Sequence, residues 1–156
     1  PGDGPLDAKT MVIGQAPGRN EDMQRKPFVG RSGEQLNSFL KMASVKRESI
    51  YITSVVQFFP PENRAPTKEE IQSCIGFLHR QIRIINPRNV ILLGNVASEA
   101  LLGIGKGGEM HGKIIEKDGM RYLVTFHPAM ALRSRNIVGK LMEEDFSSFK
   151  SVLNEK

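Results

Sequence analysis

The chain has 156 residues, 39% hydrophobic and 25% charged, with 15 glycines, 9 prolines and no tryptophan. This composition suits one globular domain with a sizeable core and excludes a disordered, collagen-like or coiled-coil chain; no apolar run approaches the ~18 residues that cross a bilayer. Twenty-two Lys and Arg against 17 Asp and Glu leave a formal charge of +5, which permits a polyanionic partner without requiring one.

Pro1-Gly2-Asp3-Gly4-Pro5 is turn chemistry and predicts a surface arm or a frayed end. Thr10-Met11-Val12-Ile13 is a short apolar run halted by Gly14, a buried strand leading into the loop Gly14-Gln15-Ala16-Pro17-Gly18. A polar stretch to Lys26 and the segment Pro27-Phe28-Val29-Gly30-Arg31-Ser32-Gly33 come before a helix over Glu34–Ala43, where Leu36, Phe39, Leu40 and Ala43 share a face. Ser49–Val56 is dense in β-branched residues and predicts a second strand, ended by Pro60-Pro61. Thr67 and Glu70 have capping-box spacing, and Ile71, Cys74, Ile75, Leu78, Ile82 and Ile85 carry a helical stripe up to Pro87. Asn89–Leu93 is a third strand closed by Gly94, and Asn95 is expected to cap a helix over Val96–Leu102. Residues 103–112 read as loop. Lys113–Glu116 and Arg121–Phe126 flank Lys117-Asp118-Gly119 as a strand pair, and a last helix runs from about Val138 to Leu153.

Strands alternate with helices, and the three best strands are apolar on both faces. The expected fold class is α/β: a three-layer α/β/α sandwich around a mostly parallel sheet, in a single domain over residues 1–156. Cys74 is the single cysteine, so the chain forms no internal disulfide and no all-cysteine metal site of its own. No signal-peptide pattern is present, and the expected compartment is the cell interior, in the cytoplasm. Pro1 stands where an initiator methionine would, which leaves room for upstream residues.

Ligands of open parallel sheets bind beyond the carboxyl ends of the strands. The loops leaving those ends carry Gln15 and Glu21, then Ser54 to Arg64, then Asn95, then His127. The first loop lacks the Gly-Lys-Ser/Thr ending of a P-loop. Its glycines allow close backbone approach to a planar ligand, although alone it equally reads as a strand-to-helix turn. Gly103-Ile104-Gly105-Lys106-Gly107-Gly108 has phosphate-loop composition but follows a helix, and reads as a flexible loop. His127-Pro128 is more telling, because proline holds the histidine backbone extended and aims its ring from the sheet edge into a cleft. His79 and His111 carry no such signal.

Taken in order, Gly14-Gln15-Ala16-Pro17-Gly18 with Glu21-Asp22, Pro27-Phe28-Val29-Gly30-Arg31, Tyr51-Ile52-Thr53-Ser54-Val55-Val56, Pro60-Pro61-Glu62-Asn63-Arg64-Ala65-Pro66, Leu93-Gly94 with Ala97, and His127-Pro128-Ala129-Met130-Ala131-Leu132-Arg133 resemble the uracil-DNA glycosylase superfamily. The resemblance is specifically to its family 4, the thermophile-type enzymes. It implies hydrolysis of the N-glycosidic bond of a deaminated base, most readily uracil, flipped out of the DNA stack, leaving an abasic site in base excision repair. Phe28 would stack on the base, backbone amides near Gln15 and Ala16 would meet a base carbonyl, and Ser54 would stand at the base-reading position. Glu21 and Asn63 would hold the attacking water, and His127 would donate to the base O2 as charge builds there. Met130 or Leu132 would wedge the duplex, with Arg133 and Arg64 on the DNA side. The implied partner is DNA, double- or single-stranded, with no membrane and a monomeric protein.

Departures from the family pattern are Gln15 for Glu, Ser54 for Asn, Ala131 for the wedge Leu and His111 for Arg. The family also carries four cysteines on an iron–sulfur cluster. Here the first pair would fall before Pro1, Phe58 stands at the third position and Cys74 alone matches the fourth. The expected enzyme therefore uses no metal or other cofactor, only water. Ser54 opens a second reading, in which the same scaffold excises hypoxanthine or xanthine, since a serine hydroxyl selects less firmly than an Asn amide. A non-catalytic reader of damaged DNA is a third, against which Glu21, Asn63 and His127 weigh. A phosphohydrolase lacks a paired-carboxylate metal site.

Overall fold

Three apolar runs form the centre of the molecule. β1 (Thr10–Gly14), β2 (Tyr51–Ser54) and β3 (Asn89–Leu93) are buried along their whole length. With β4 (Ile114–Lys117) and β5 (Met120–Thr125) they make one sheet in the order β2-β1-β3-β5-β4. All neighbours are parallel except the β4–β5 hairpin. The computed structural model describes residues 2–60, 64–105 and 107–155.

Alternation along the strands decides the layers. Met11 and Ile13, Val90 and Leu92, and Val124 point to one face, where they pack with Cys74, Leu78 and Ile82 of α3 (Lys68–Ile85) and Ala97 and Leu101 of α4 (Asn95–Leu102). Val12, Ile52, Ile91, Leu93 and Leu123 point to the other, against Leu36, Phe39 and Leu40 of α2 (Gly30–Met42) and Met142, Phe146 and Phe149 of α6 (Lys140–Leu153). Phe39 and Phe146 stack with ring centres 5.3 Å apart, joining the two helices of that layer. The α/β/α sandwich expected from the alternation is the one observed.

Some boundaries differ, for physical reasons. α2 begins at Gly30 rather than Glu34, its first turn carrying no apolar stripe to betray it. The β2 ladder ends at Ser54 although Val55 and Val56 are fully buried. Their amides donate instead to the carbonyls of Gly14 and Gln15, at 3.0 Å each, so they tie two strand-end loops together. Asn95 does not cap α4. The cap is Gly94 at φ +95°, and Asn95 is the first helical residue. The capping box of α3 is present in full, with Thr67 and Glu70 bonded reciprocally. The N-terminal arm is not frayed from Gly2 onward; Asp3 bridges Ile52 through two backbone bonds and covers the free edge of β2. Two short helices, α1 (Arg19–Gln24) and α5 (Pro128–Arg133), had no periodic signal. A π-helical turn over Arg135–Gly139 leads into α6.

The chain leaves β1 toward β2 on one side and returns to β3 on the other. The carboxyl ends of β1 and β3 therefore bound a crevice, the usual ligand position in such a sheet.

Candidate active site

A cleft of about 990 Å³ opens at that crevice. Every parallel strand delivers a side chain or loop to it: Gln15 and Ala16 after β1, Ser54 ending β2, Gly94 and Asn95 after β3, and His127 after β5. Glu21, Phe28, Arg64, Met130 and Arg133 line it as well. Of the residues singled out in the sequence, Leu132 is not part of the lining and is half-buried on α5, while Met130 is 42% exposed. Ala131 is fully buried, so a wedge from this helix falls to Met130. Asn63 lies outside the described residues.

Phe28 is 5% exposed and sits at φ +49°, a left-handed backbone that a bulky residue rarely adopts. Its ring reaches under the end of β1. A Cβ added to Gly14 would stand 2.6 Å from Phe28 Cζ and 3.7 Å from Ser54 Oγ, so glycine there admits the ring and sets the hydroxyl beside it. The strained backbone is held from outside the cleft. The Arg47 guanidinium donates to the Phe28 carbonyl at 2.7 Å, to the Pro27 carbonyl at 2.5 Å and to Asn37 Oδ1 at 3.0 Å. Gly33 completes the support, since a Cβ there would fall 1.9 Å from the Phe28 oxygen. Nothing local in the sequence signals Arg47, which precedes the second strand and lies 19 residues from Phe28.

That clamp gives a clear expectation. Arg47→Lys keeps the charge but not the two-pronged fork. The protein should lose about 2 kcal/mol in denaturant unfolding, the usual worth of hydrogen bonds to a charged donor. The Phe28 ring should also lose its fixed position in the cleft, which its aromatic NMR resonances would read. Unchanged Phe28 resonances would mean that Arg47 serves the fold alone.

His127 stands two residues past β5 in extended backbone, capping α5, whose first residue is Pro128. Its Nδ1 accepts from the Ala129 amide at 3.1 Å. An acceptor Nδ1 fixes the neutral tautomer that carries hydrogen on Nε2. Burial, with a further push from Arg133, lowers the ring's pKa from 6.5 to about 4, so it stays neutral at physiological pH. The ring centre is 5.6 Å from that of Phe28. Gly94 leaves room for it, a Cβ there falling 3.2 Å from His127 Cβ.

Glu21 belongs to the first turn of α1. Its carboxyl folds back over Gly18, with Oε2 3.4 Å from where a Cβ on that glycine would stand. Burial raises its pKa above the ordinary 4.5, against a smaller opposing pull from its own backbone amide. The cleft thus holds an aromatic platform, a neutral N–H donor and a carboxylate of raised basicity. Its lining carries six basic side chains against two acidic ones, Glu21 and Asp22, which suits a polyanion. Arg64 is engaged, its guanidinium 2.5 Å from Glu70 Oε1.

The residues at hand do not fit a four-cysteine iron–sulfur cluster. Cys74 is a free thiol buried in the core between sheet and α3, and Phe58 occupies the third position. Phe58 is 40% exposed. No group of three or more His, Cys, Asp or Glu among the described residues is arranged to hold a metal.

The family model described as "Uracil DNA glycosylase superfamily" matches residues 1–154. A type-4 uracil-DNA glycosylase of Saccharolobus solfataricus is 39% identical over 166 aligned positions, covering 100% of this chain and 76% of that protein. One from Thermotoga maritima is 37% identical, covering 99% and 83%. One from Pyrobaculum aerophilum is 35% identical, covering 92% and 78%.

Proposed function

The chain belongs to the uracil-DNA glycosylase superfamily, and on that footing we propose that it draws a uracil-bearing nucleotide out of DNA and hydrolyses its N-glycosidic bond with a water held by Glu21. Membership makes it a hydrolase of N-glycosyl bonds in DNA repair, acting on DNA. Among the described residues no helix is long and apolar enough to cross a membrane. The finer assignment rests on one observation above the others: a neutral His127 with its hydrogen on Nε2, its ring 5.6 Å from the Phe28 ring, in a cleft rimmed with cations.

In this reading the flipped base stacks on Phe28. The bond from C1′ to the base nitrogen breaks with its electron pair going to the base, and negative charge spreads to O2. His127 Nε2–H donates to that oxygen, and because the donor is fixed beforehand it favours the charged state over the ground state. Water attacks C1′ as its proton passes to the Glu21 carboxylate, giving free base and an abasic site. Met130 occupies the gap in the stack, and Arg133 meets phosphate. Backbone at Gln15 and Ala16 meets a base carbonyl. Asn63 shares the water in this reading, on resemblance alone.

Single-turnover excision from labelled oligonucleotides carrying uracil, hypoxanthine or xanthine, single- and double-stranded, tests the proposal. Cleavage at uracil is expected. Cleavage only at a purine lesion would transfer the mechanism to another base, and tight binding without cleavage would leave a reader of damaged DNA. Ser54→Asn should raise the preference for uracil over hypoxanthine by at least about ten-fold, since an amide supplies a fixed donor and acceptor where a hydroxyl rotates. An unchanged ratio would remove Ser54 from base reading.

A further inference from the structure

We infer that the pair His111–Asp145 is a positioning device for His127, acting through the end of β5. The inference rests on the proposed role of His127. Neither residue lines the cleft. Asp145, on α6, is 5% exposed, and a carboxylate so far from water must be partnered. Its Oδ2 accepts from the Thr125 hydroxyl at 2.7 Å, and both oxygens face His111 Nδ1, at 3.0 and 3.1 Å. A carboxylate only accepts, and the Thr125 hydrogen is already spent on it, so His111 carries its hydrogen on Nδ1 and donates.

The knot then closes on β5. Gly112, at φ +82°, is the residue beside His111, and a Cβ there would fall 2.7 Å from Asp145 Oδ1; a side chain would push the carboxylate away. The Gly112 amide donates to the Val124 carbonyl at 2.7 Å, and the Val124 amide donates to the Lys113 carbonyl at 3.0 Å. The His111 ring lies 4.9 Å from the ring of Phe126, tilted 30°. Thr125 is therefore held by the pair through its hydroxyl and Phe126 through its ring, while Val124 is held by the backbone of Gly112 and Lys113 next in the chain to His111. The next residue is His127. On its far side Pro128 and the Ala129 amide fix the imidazole again. The Nε2 hydrogen is thus located from both directions along the chain.

Stability alone does not call for this arrangement. A carboxylate as buried as Asp145 is costly to take out of water, so the return of these hydrogen bonds is in geometry rather than in folding energy. Geometry is what a preorganised donor needs, because displacement of a catalytic group by about 1 Å can cost on the order of 100-fold in rate.

The test compares His111→Ala, His111→Gln and Asp145→Asn with the wild type, and His111→Ala again in a His127→Asn background. His111→Ala should slow single-turnover excision by about 10- to 100-fold with DNA affinity within about two-fold, a loss in the chemical step rather than in binding. Asp145→Asn retains an oxygen for His111 and an amide for Thr125, and should stay within about three-fold of wild type. With His127 already replaced, His111→Ala should add no further loss, as expected of residues acting in one unit. The His127 Nε2–H resonance should move in His111→Ala and hold in Asp145→Asn. Should His111→Ala fail to fold, His111→Gln, which keeps a donor for Asp145 and loses the ring stack, carries the same comparison. An unchanged rate and resonance would overturn the inference, as would an equal loss in the His127→Asn background. The resonance is read without DNA, so absence of excision by the wild type would overturn the function while the spectrum still decided the brace.

Discussion

Replacing His127 with asparagine should lower the single-turnover excision rate about 100- to 1,000-fold, the usual cost of removing one preorganised donor, while DNA affinity stays within a few-fold. Asparagine is chosen because it separates two duties of the imidazole. His127 caps α5, its Nδ1 accepting from the Ala129 amide, and an Asn oxygen does the same at this position. The Nε2 hydrogen that the proposal has donating to the base is what the shorter side chain loses. Stability should therefore be nearly unchanged near neutral pH, and alanine, which loses the cap as well, should cost about 1 kcal/mol more. A rate close to wild type in His127→Asn would place the donor elsewhere.

The same variant should alter how stability responds to acid. The folded ring titrates at about 4 against 6.5 when unfolded. Between those values the unfolded chain binds the extra proton, so stability falls as pH drops from 6.5 toward 4 and is fully present above 6.5. His127→Asn removes this contribution. Its melting temperature should lie above that of the wild type near pH 4 relative to their difference at pH 7.5, which paired thermal melts would read.

The parts of this protein that a reader of the sequence reaches first are those whose physics is local. Val90–Leu93 is an uninterrupted apolar run, and β3 ends where the run ends. Thr67 and Glu70 announce the start of α3 because both halves of a capping box lie within one turn. His127-Pro128 reads correctly because proline dictates the backbone of the residue before it. What escapes is long-range or lacks periodicity. α1 is six residues of polar sequence with no apolar face. Val55 and Val56 look like strand because they are β-branched and buried, yet their amides serve a loop. Arg47 supports Phe28, and Asp145 meets His111 across 34 residues. Neither contact has a sequence spacing to find. Gln15, Glu21, Phe28, Ser54 and His127 stand at strand ends or in the segments that follow them and meet at the cleft, whereas Leu132 does not line it and the scaffold that fixes the two rings of the cleft has no local signal.

Glu21→Gln should bring the second large loss, about 100- to 10,000-fold in the chemical step, the range over which a positioned acid or base contributes. The pH profile decides whether the residue acts as a base. Burial raises the folded pKa of Glu21 above 4.5, so the active carboxylate should be lost on acidification at a higher pH than an exposed glutamate would be. His127 keeps its neutral form down to about 4, below the Glu21 transition. The acid limb of the wild-type rate should then belong to Glu21. It should persist in His127→Asn at a much reduced rate and vanish in Glu21→Gln, whose residual activity should be flat over that interval. A limb that survives Glu21→Gln would assign the proton to another group. A limb that disappears with His127→Asn would mean that the imidazole, despite its burial, is the group that titrates.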